Sequence, residues 1–289
     1  MAMGAADVVP GVSGGTIAFI TGIYEELIAS LSAADGKALQ LLFKGKIKEL
    51  WAHVNGSFLA VLFAGIFISI LTLAAVLSYL LDHHEILVWS FFFGLVAASV
   101  WMVGRTVKNW NWVSQLSFAV GTVVAYLITI APASTGTAEP MYLILCGALA
   151  ICAMILPGIS GSFILLLLGA YGTVLNAVAD RDLMVIAYVG IGAVAGLLTF
   201  TKALKWIFAK FYNATIALLT GFLLGSLNKL WPWKEVISTY TKHAGTEKEE
   251  MVPLVVENLA PGEFAVQGLI FAVLGALVVI LLEWFGKKK

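Results

Sequence analysis

The chain has 289 residues, 61% of them hydrophobic and only 12% charged, about half the charge of a typical soluble domain. Its 17 basic and 17 acidic residues cancel, which excludes both the basic surface of a nucleic-acid binder and a polyanionic regulatory tail. Apolar stretches of about 20 residues are long enough to cross a hydrocarbon core as helices, and their Leu/Ala/Val-rich, non-alternating pattern favours helices over a β-barrel.

The first apolar region, residues 3–30, is interrupted by Pro10-Gly11 and Gly14-Gly15. Proline has no N–H to donate and glycine tolerates a turn, so a broken helix with a short first arm is predicted. No basic region precedes a cleavable apolar stretch, so no removed signal peptide is expected. In residues 37–51, Leu39, Leu42, Phe43, Ile47, Leu50 and Trp51 recur at helical spacing around Lys44, Lys46 and Lys48. That pattern predicts one interfacial helix, acting as a membrane anchor or meeting an anionic headgroup. Spans are predicted over 57–81, 86–104 and 113–131. Residues 141–176 are about twice a span in length, with Pro157-Gly158 and Gly161 near the middle. Spans over 183–200, 215–230 and 264–283 follow, with a long acidic loop before the last. The two cysteines, Cys146 and Cys152, lie in apolar sequence and read as reduced thiols.

The two interrupted regions align without a gap. Val9-Pro10-Gly11-Val12-Ser13-Gly14 corresponds to Leu156-Pro157-Gly158-Ile159-Ser160-Gly161 at an offset of 147, and Gly22 and Tyr24 match Gly169 and Tyr171. Beyond them Gly65 is matched to Gly190, Gly94 to Gly221 and Ser99 to Ser226, at offsets of 125 to 127. The insert at 37–51 accounts for the drop. The chain therefore divides into a first repeat, 1–135, and a second, 136–289, together one transmembrane domain.

With both broken regions as re-entrant hairpins and six full crossings, Lys37, Lys44, Lys46, Lys48, Arg105, Lys108, Lys202, Lys205, Lys210 and Lys287 to Lys289 share one side, 12 of the 17 basic residues. The positive-inside rule makes that side cytoplasmic. Three crossings separate the hairpins, so the second repeat is inverted. The expected fold is all-α: a polytopic membrane protein of two inverted repeats, each a broken re-entrant helical hairpin plus three transmembrane helices. Such repeats are a recurrent transporter architecture, with substrate held where the broken helices meet.

Each motif opens a helix with small polar residues: Ser13, Gly14, Gly15 and Thr16 in the first, Ser160, Gly161 and Ser162 in the second. Helix starts present unpaired N–H groups and partial positive charge, glycines admit a ligand to the backbone, and the hydroxyls add donors. Two facing starts would cradle a phosphate, with Pro10, Gly11, Pro157 and Gly158 setting the geometry. Capping and close packing use the same residue types; repetition at identical spacing favours the site. Asp7 and Glu25 flank the first motif as candidate coupling groups, for a proton or sodium ion, because a carboxylate at membrane depth is costly. Arg105 and Lys202 are candidate headgroup contacts, although snorkelling cations are common at helix ends. His83 and His84 read as a surface turn. No metal site, cofactor motif or enzyme signature is present in the sequence.

The run Gly4-Ala5-Ala6-Asp7-Val8-Val9-Pro10-Gly11-Val12-Ser13-Gly14-Gly15-Thr16-Ile17-Ala18-Phe19, followed by Gly22-Ile23-Tyr24, resembles the bacterial and archaeal polyprenyl-phosphate transporter family (PopT). Leu156 to Ser162 looks like its internal partner motif, and the resemblance covers nearly the whole chain. It implies a flippase in the cytoplasmic membrane of a prokaryote, moving undecaprenyl phosphate from the outer to the cytoplasmic leaflet for reuse in cell-wall biogenesis. A small inorganic anion carrier or channel, and a non-transporting membrane scaffold, are the alternatives that the residues leave open.

Overall fold

The computed structural model describes residues 1–8, 13–134, 136–242 and 250–286. The described chain is overwhelmingly helical, and the two motif regions fold alike. In the first, α1 (Ala2–Val8), α2 (Gly14–Ile20) and α3 (Tyr24–Ser32) follow one another. The helices α4 (Gly36–Phe43), α5 (Ile47–His53), α6 (Gly56–Gly104) and α7 (Trp112–Ile130) come next. In the second motif region α8 (Pro140–Ile155) is followed by α9 (Gly161–Leu167) and α10 (Tyr171–Ala179). Both bounds of α9 and α10 lie 147 positions beyond those of α2 and α3.

The same device ends α2 and α9. Gly22 (φ 74°) and Gly169 (φ 64°) are left-handed, and the N–H groups around them turn back on the last helical carbonyls: Gly22 to Phe19 and Ile23 to Ala18, Gly169 to Leu166 and Ala170 to Leu165. These paired bonds define the Schellman stop, which needs a residue without Cβ strain at that point. The chain bends by 115° between α9 and α10. The Tyr142 hydroxyl, near the start of α8, donates to the Leu168 carbonyl at the end of α9, so these helices run antiparallel and the chain folds back as the hairpin reading expects.

The expected single interfacial helix is two helices. The chain breaks at Gly45 (φ 68°), where Gly45 and Lys46 donate to Leu42 and Leu41, a stop that lysine-rich periodicity hides. Leu39, Phe43, Ile47 and Trp51 remain exposed, Phe43 at 84%.

All six predicted spans lie in long helices. The 49 residues of α6 would extend about 74 Å, more than two membrane crossings, and its two arms meet at His84 (φ −139°, ψ 40°). The helix α11 (Leu183–Leu230) breaks the same way at Phe211 (φ −133°, ψ 47°), 127 positions on. With α11 counted once, five described helices or arms are long and apolar enough to cross a membrane, and the bent α9–α10 pair makes up to six. Between the arms there is one non-helical residue in place of a loop.

The acidic segment read as a loop contains an antiparallel ribbon, β1 (Lys234–Lys242) with β2 (Glu250–Asn258), in the register Lys234 to Asn258 and Val236 to Val256. Its Val, Ile, Thr and Tyr content suits strands. The last helix, α12 (Ala265–Gly286), follows.

Packing crosses the boundary between the halves. A Cβ on Gly121 of α7 would strike the Leu218 carbonyl of α11, and one on Gly275 of α12 would strike the Phe91 carbonyl of α6. Thus α7 lies against the second half's long helix, and α12 against the first half's. The expected match of Gly65 with Gly190 is not mirrored in these contacts: Gly65 lies against Met1, just ahead of α1, and Gly192 against Ile144 of α8, whereas a Cβ on Gly190 meets nothing. Gly192 lies 127 positions beyond Gly65, the offset that also separates the two kinks.

Candidate functional site

Ser13 caps α2 from an extended conformation that turns its hydroxyl towards the helix start. Its Oγ accepts from the Gly15 N–H at 3.1 Å and donates to the Met154 carbonyl at 3.1 Å, across to the second hairpin. The Gly14 N–H donates to Asp7 Oδ1 at 2.7 Å. Thr16 Oγ1 accepts from the Gly158 N–H at 2.9 Å. Ser13 and Thr16 are 1% and 0% exposed. A Cβ on Gly15 would stand 2.7 Å from the Ile155 carbonyl, so only glycine lets the hairpins approach this closely.

The structure therefore brings the two motifs together, with unequal roles. In the first, the helix start is occupied by Asp7 and the hydroxyls bond the turn of α8–α9. In the second, the Ser160 hydroxyl accepts from no backbone N–H of α9, and Ser160 and Ser162 share a hydrogen bond of 2.8 Å near the surface. Gly161 packs on the Ala150 carbonyl, and left-handed Gly158 (φ 89°) lies against Ser226 and Phe222 of α11. The position equivalent to Asp7 at the offset of 147 is Met154, so a carboxylate serves one helix start only. Pro157 is buried at the turn; Pro10 and Gly11 lie outside the described residues.

Of the flanking candidates, Glu25 occupies the exposed first turn of α3. The Arg105 guanidinium covers the Trp101 ring at 4.5 Å. Lys108 N–H bonds Asn213, which fixes this basic turn beside the start of the second arm of α11, about 20 Å along that helix from Ser226. Lys202 is exposed on the first arm. Neither cation joins the motifs. Among the described residues no group of three or more His, Cys, Asp or Glu is placed to hold a metal.

Sequence reading missed a cleft of about 580 Å³ at the far end of α11, lined by Tyr126, Ile130, Phe163, Leu166, Leu167 and Lys229 among others. Lys229 Nζ lies 4.5 Å over the Phe163 ring, next in sequence to Ser162. The available signal was a cation inside the last turn of an apolar span. Nearby Lys234, beyond the span at the start of β1, covers Trp89 at 3.9 Å. Burial, reinforced by neighbouring Lys229 and opposed by Glu85, pushes its ammonium down to about 7.

The family described as undecaprenyl phosphate translocase-like matches residues 3–248. A Vibrio cholerae protein named polyprenyl-phosphate transporter is 47% identical over 266 residues, covering 91% of this chain and 84% of that protein. A Staphylococcus aureus protein of the same name is 32% identical over 249 residues, covering 80% of this chain and 83% of that protein. No solved structure matches. The match spans both motifs and the hairpins that carry them, and the chain belongs to the undecaprenyl phosphate translocase-like family.

Proposed function

We propose that this protein carries a polyprenyl phosphate, undecaprenyl phosphate in particular, from the outer to the cytoplasmic leaflet of a prokaryotic inner membrane. The observation that carries the reading is the contact of the two motifs, Ser13 with Met154 and Thr16 with Gly158. The family description and the relatives' names support the lipid. The phosphate is held by Ser160, Gly161 and Ser162, whose hydroxyls are accessible, and by Ser13, Gly14, Gly15 and Thr16 once the hairpins part. The isoprenoid tail stays in the bilayer. Inverted repeats, 1–135 and 136–289, rock about this point; the equivalent kinks and the exchanged packing support that movement. Asp7 is the group that a coupling proton or sodium ion would neutralise, freeing the α2 start for the phosphate; Glu25, Arg105 and Lys202 serve approach and release on the cytoplasmic side.

The test is leaflet exchange of a polyprenyl phosphate in vesicles containing the purified protein. Ser160→Leu should lower the exchange rate at least tenfold while the thermal midpoint is kept. An unchanged rate removes the second motif from the site. Uptake of inorganic phosphate without lipid exchange would instead establish the small-anion carrier.

A further inference from the structure

The cleft beside α9 has one wall facing lipid. Tyr126 and Ile130 of α7 are exposed on the hydrocarbon-facing side of that helix, and Leu166, Leu167 and Phe163 of α9 form the opposite wall. Its polar side chains largely satisfy one another. Asn228 Nδ2 donates to Thr129 Oγ1 at 2.8 Å, Thr129 Oγ1 donates to the Tyr126 carbonyl at 2.7 Å, and Asn258 Nδ2 donates to Asn228 Oδ1 at 2.9 Å. The Lys229 ammonium is the exception. It is half-buried, its contact is the face of Phe163, and no carboxylate stands within ion-pair distance among the described residues. Exposed Glu257 is the acidic residue of the lining. A half-buried cation at the end of an apolar span without an anion is costly, and a ring face compensates only part of that cost.

The position is equally informative. Lys108 bonds Asn213 at the basic end of the molecule, and 16 residues of helix separate Asn213 from Lys229, about 24 Å. The cleft therefore opens at the opposite end, which the positive-inside rule makes non-cytoplasmic, and its volume suits a medium-sized ligand.

We propose that this cleft is the outer-leaflet portal for a phosphomonoester with an apolar tail: Lys229 meets the phosphate, the α7 and α9 walls hold the first tail units, and Phe163 leads to the Ser160–Ser162 pair. The identity of the ligand rests on the transport reading above and the leaflet on the charge-derived orientation; the cleft and its unpaired ammonium rest on neither.

The test titrates farnesyl phosphate into the full chain in nanodiscs, against empty nanodiscs, with farnesol and inorganic phosphate as separate arms. Farnesyl phosphate should bind at least tenfold more tightly than either, which requires charge and tail together. Lys229→Gln should weaken it at least tenfold, Lys229→Arg by less than threefold, and Leu167→Trp, which fills the apolar wall without touching the charge, at least tenfold. Thermal midpoints verify folding. Unchanged affinity in both Lys229→Gln and Leu167→Trp, or equal binding of farnesol, overturns the portal. Equal binding of inorganic phosphate makes it a free-anion site and overturns the lipid assignment. Exchange of the long-chain lipid, measured in parallel, separates the two readings: wild-type exchange that Lys229→Gln leaves unaltered sinks the portal alone, and wild-type protein without exchange sinks the transport reading.

Discussion

Thr16 is fully buried and accepts the Gly158 N–H from the other hairpin. Thr16→Val keeps the shape and strands that N–H, at a cost of about 1–3 kcal/mol, whereas Thr16→Ser should recover most of it; thermal unfolding in detergent distinguishes them. Lys234 supplies a pH dependence. Its ammonium titrates at about 7 when folded against 10.5 ordinarily, so between those values the unfolded chain binds more protons and stability rises with pH. The stabilisation is absent below about 7 and complete above the ordinary lysine value. The thermal midpoint should climb from pH 6 to pH 9, and Lys234→Met should flatten the climb. Ser13 and Ser160 stood out because they repeat at the offset of 147, whereas Thr16 falls opposite Phe163 and was marked only by its place beside the first motif. Their division into bonded and accessible hydroxyls was not legible, because it depends on which hairpin turn meets which helix start. Lys229 was visible only as a charge to be assigned to a side, since its aromatic partner is 66 positions away.

Among the elements, the equivalent Schellman stops offer a paired comparison. Gly22 has open space where a Cβ would go, so Gly22→Ala should cost only the left-handed penalty of about 1–2 kcal/mol. Gly169 meets the Ser134 carbonyl and Gly136, so Gly169→Ala adds about 1–3 kcal/mol of overpacking. Equal losses in two chemical melts would contradict the close approach of the loop at Ser134. Helix positions were readable from apolar length, yet the joins were not. Residues 82–85 and 201–214 contain no Gly or Pro, and the turn is made by a single residue, His84 or Phe211, whose conformation leaves no compositional trace. The β1–β2 ribbon did leave one, in Val236, Thr239, Tyr240, Val255 and Val256, but acidic neighbours masked it.

For the whole molecule, the likeness of the two motif regions was plain in the sequence and the packing of α7 and α12 was not. Because α7 packs on α11 and α12 on α6, neither 1–135 nor 136–289 can complete its interior alone. Expressed separately, each half should be degraded or aggregate; expressed together, the two should copurify and resist protease. Stable, monodisperse single halves would refute this packing. The unequal pair Asp7 and Met154 has a different consequence. Two identical motifs would present the same helix start twice, whereas here a carboxylate, Asp7 on the Gly14 N–H, closes the first alone; on the transport proposed above, the cargo would have to displace it. On that proposal the outward and inward half-cycles have separate rate-limiting steps, each open to mutation without the other. Such kinetic asymmetry leaves the equilibrium distribution of lipid untouched, because a carrier shifts populations only through free energy supplied from outside. On the same proposal net recycling is driven by lipid consumption on one face or by an ion gradient, and replacing Asp7 with Met would yield a more symmetric exchanger.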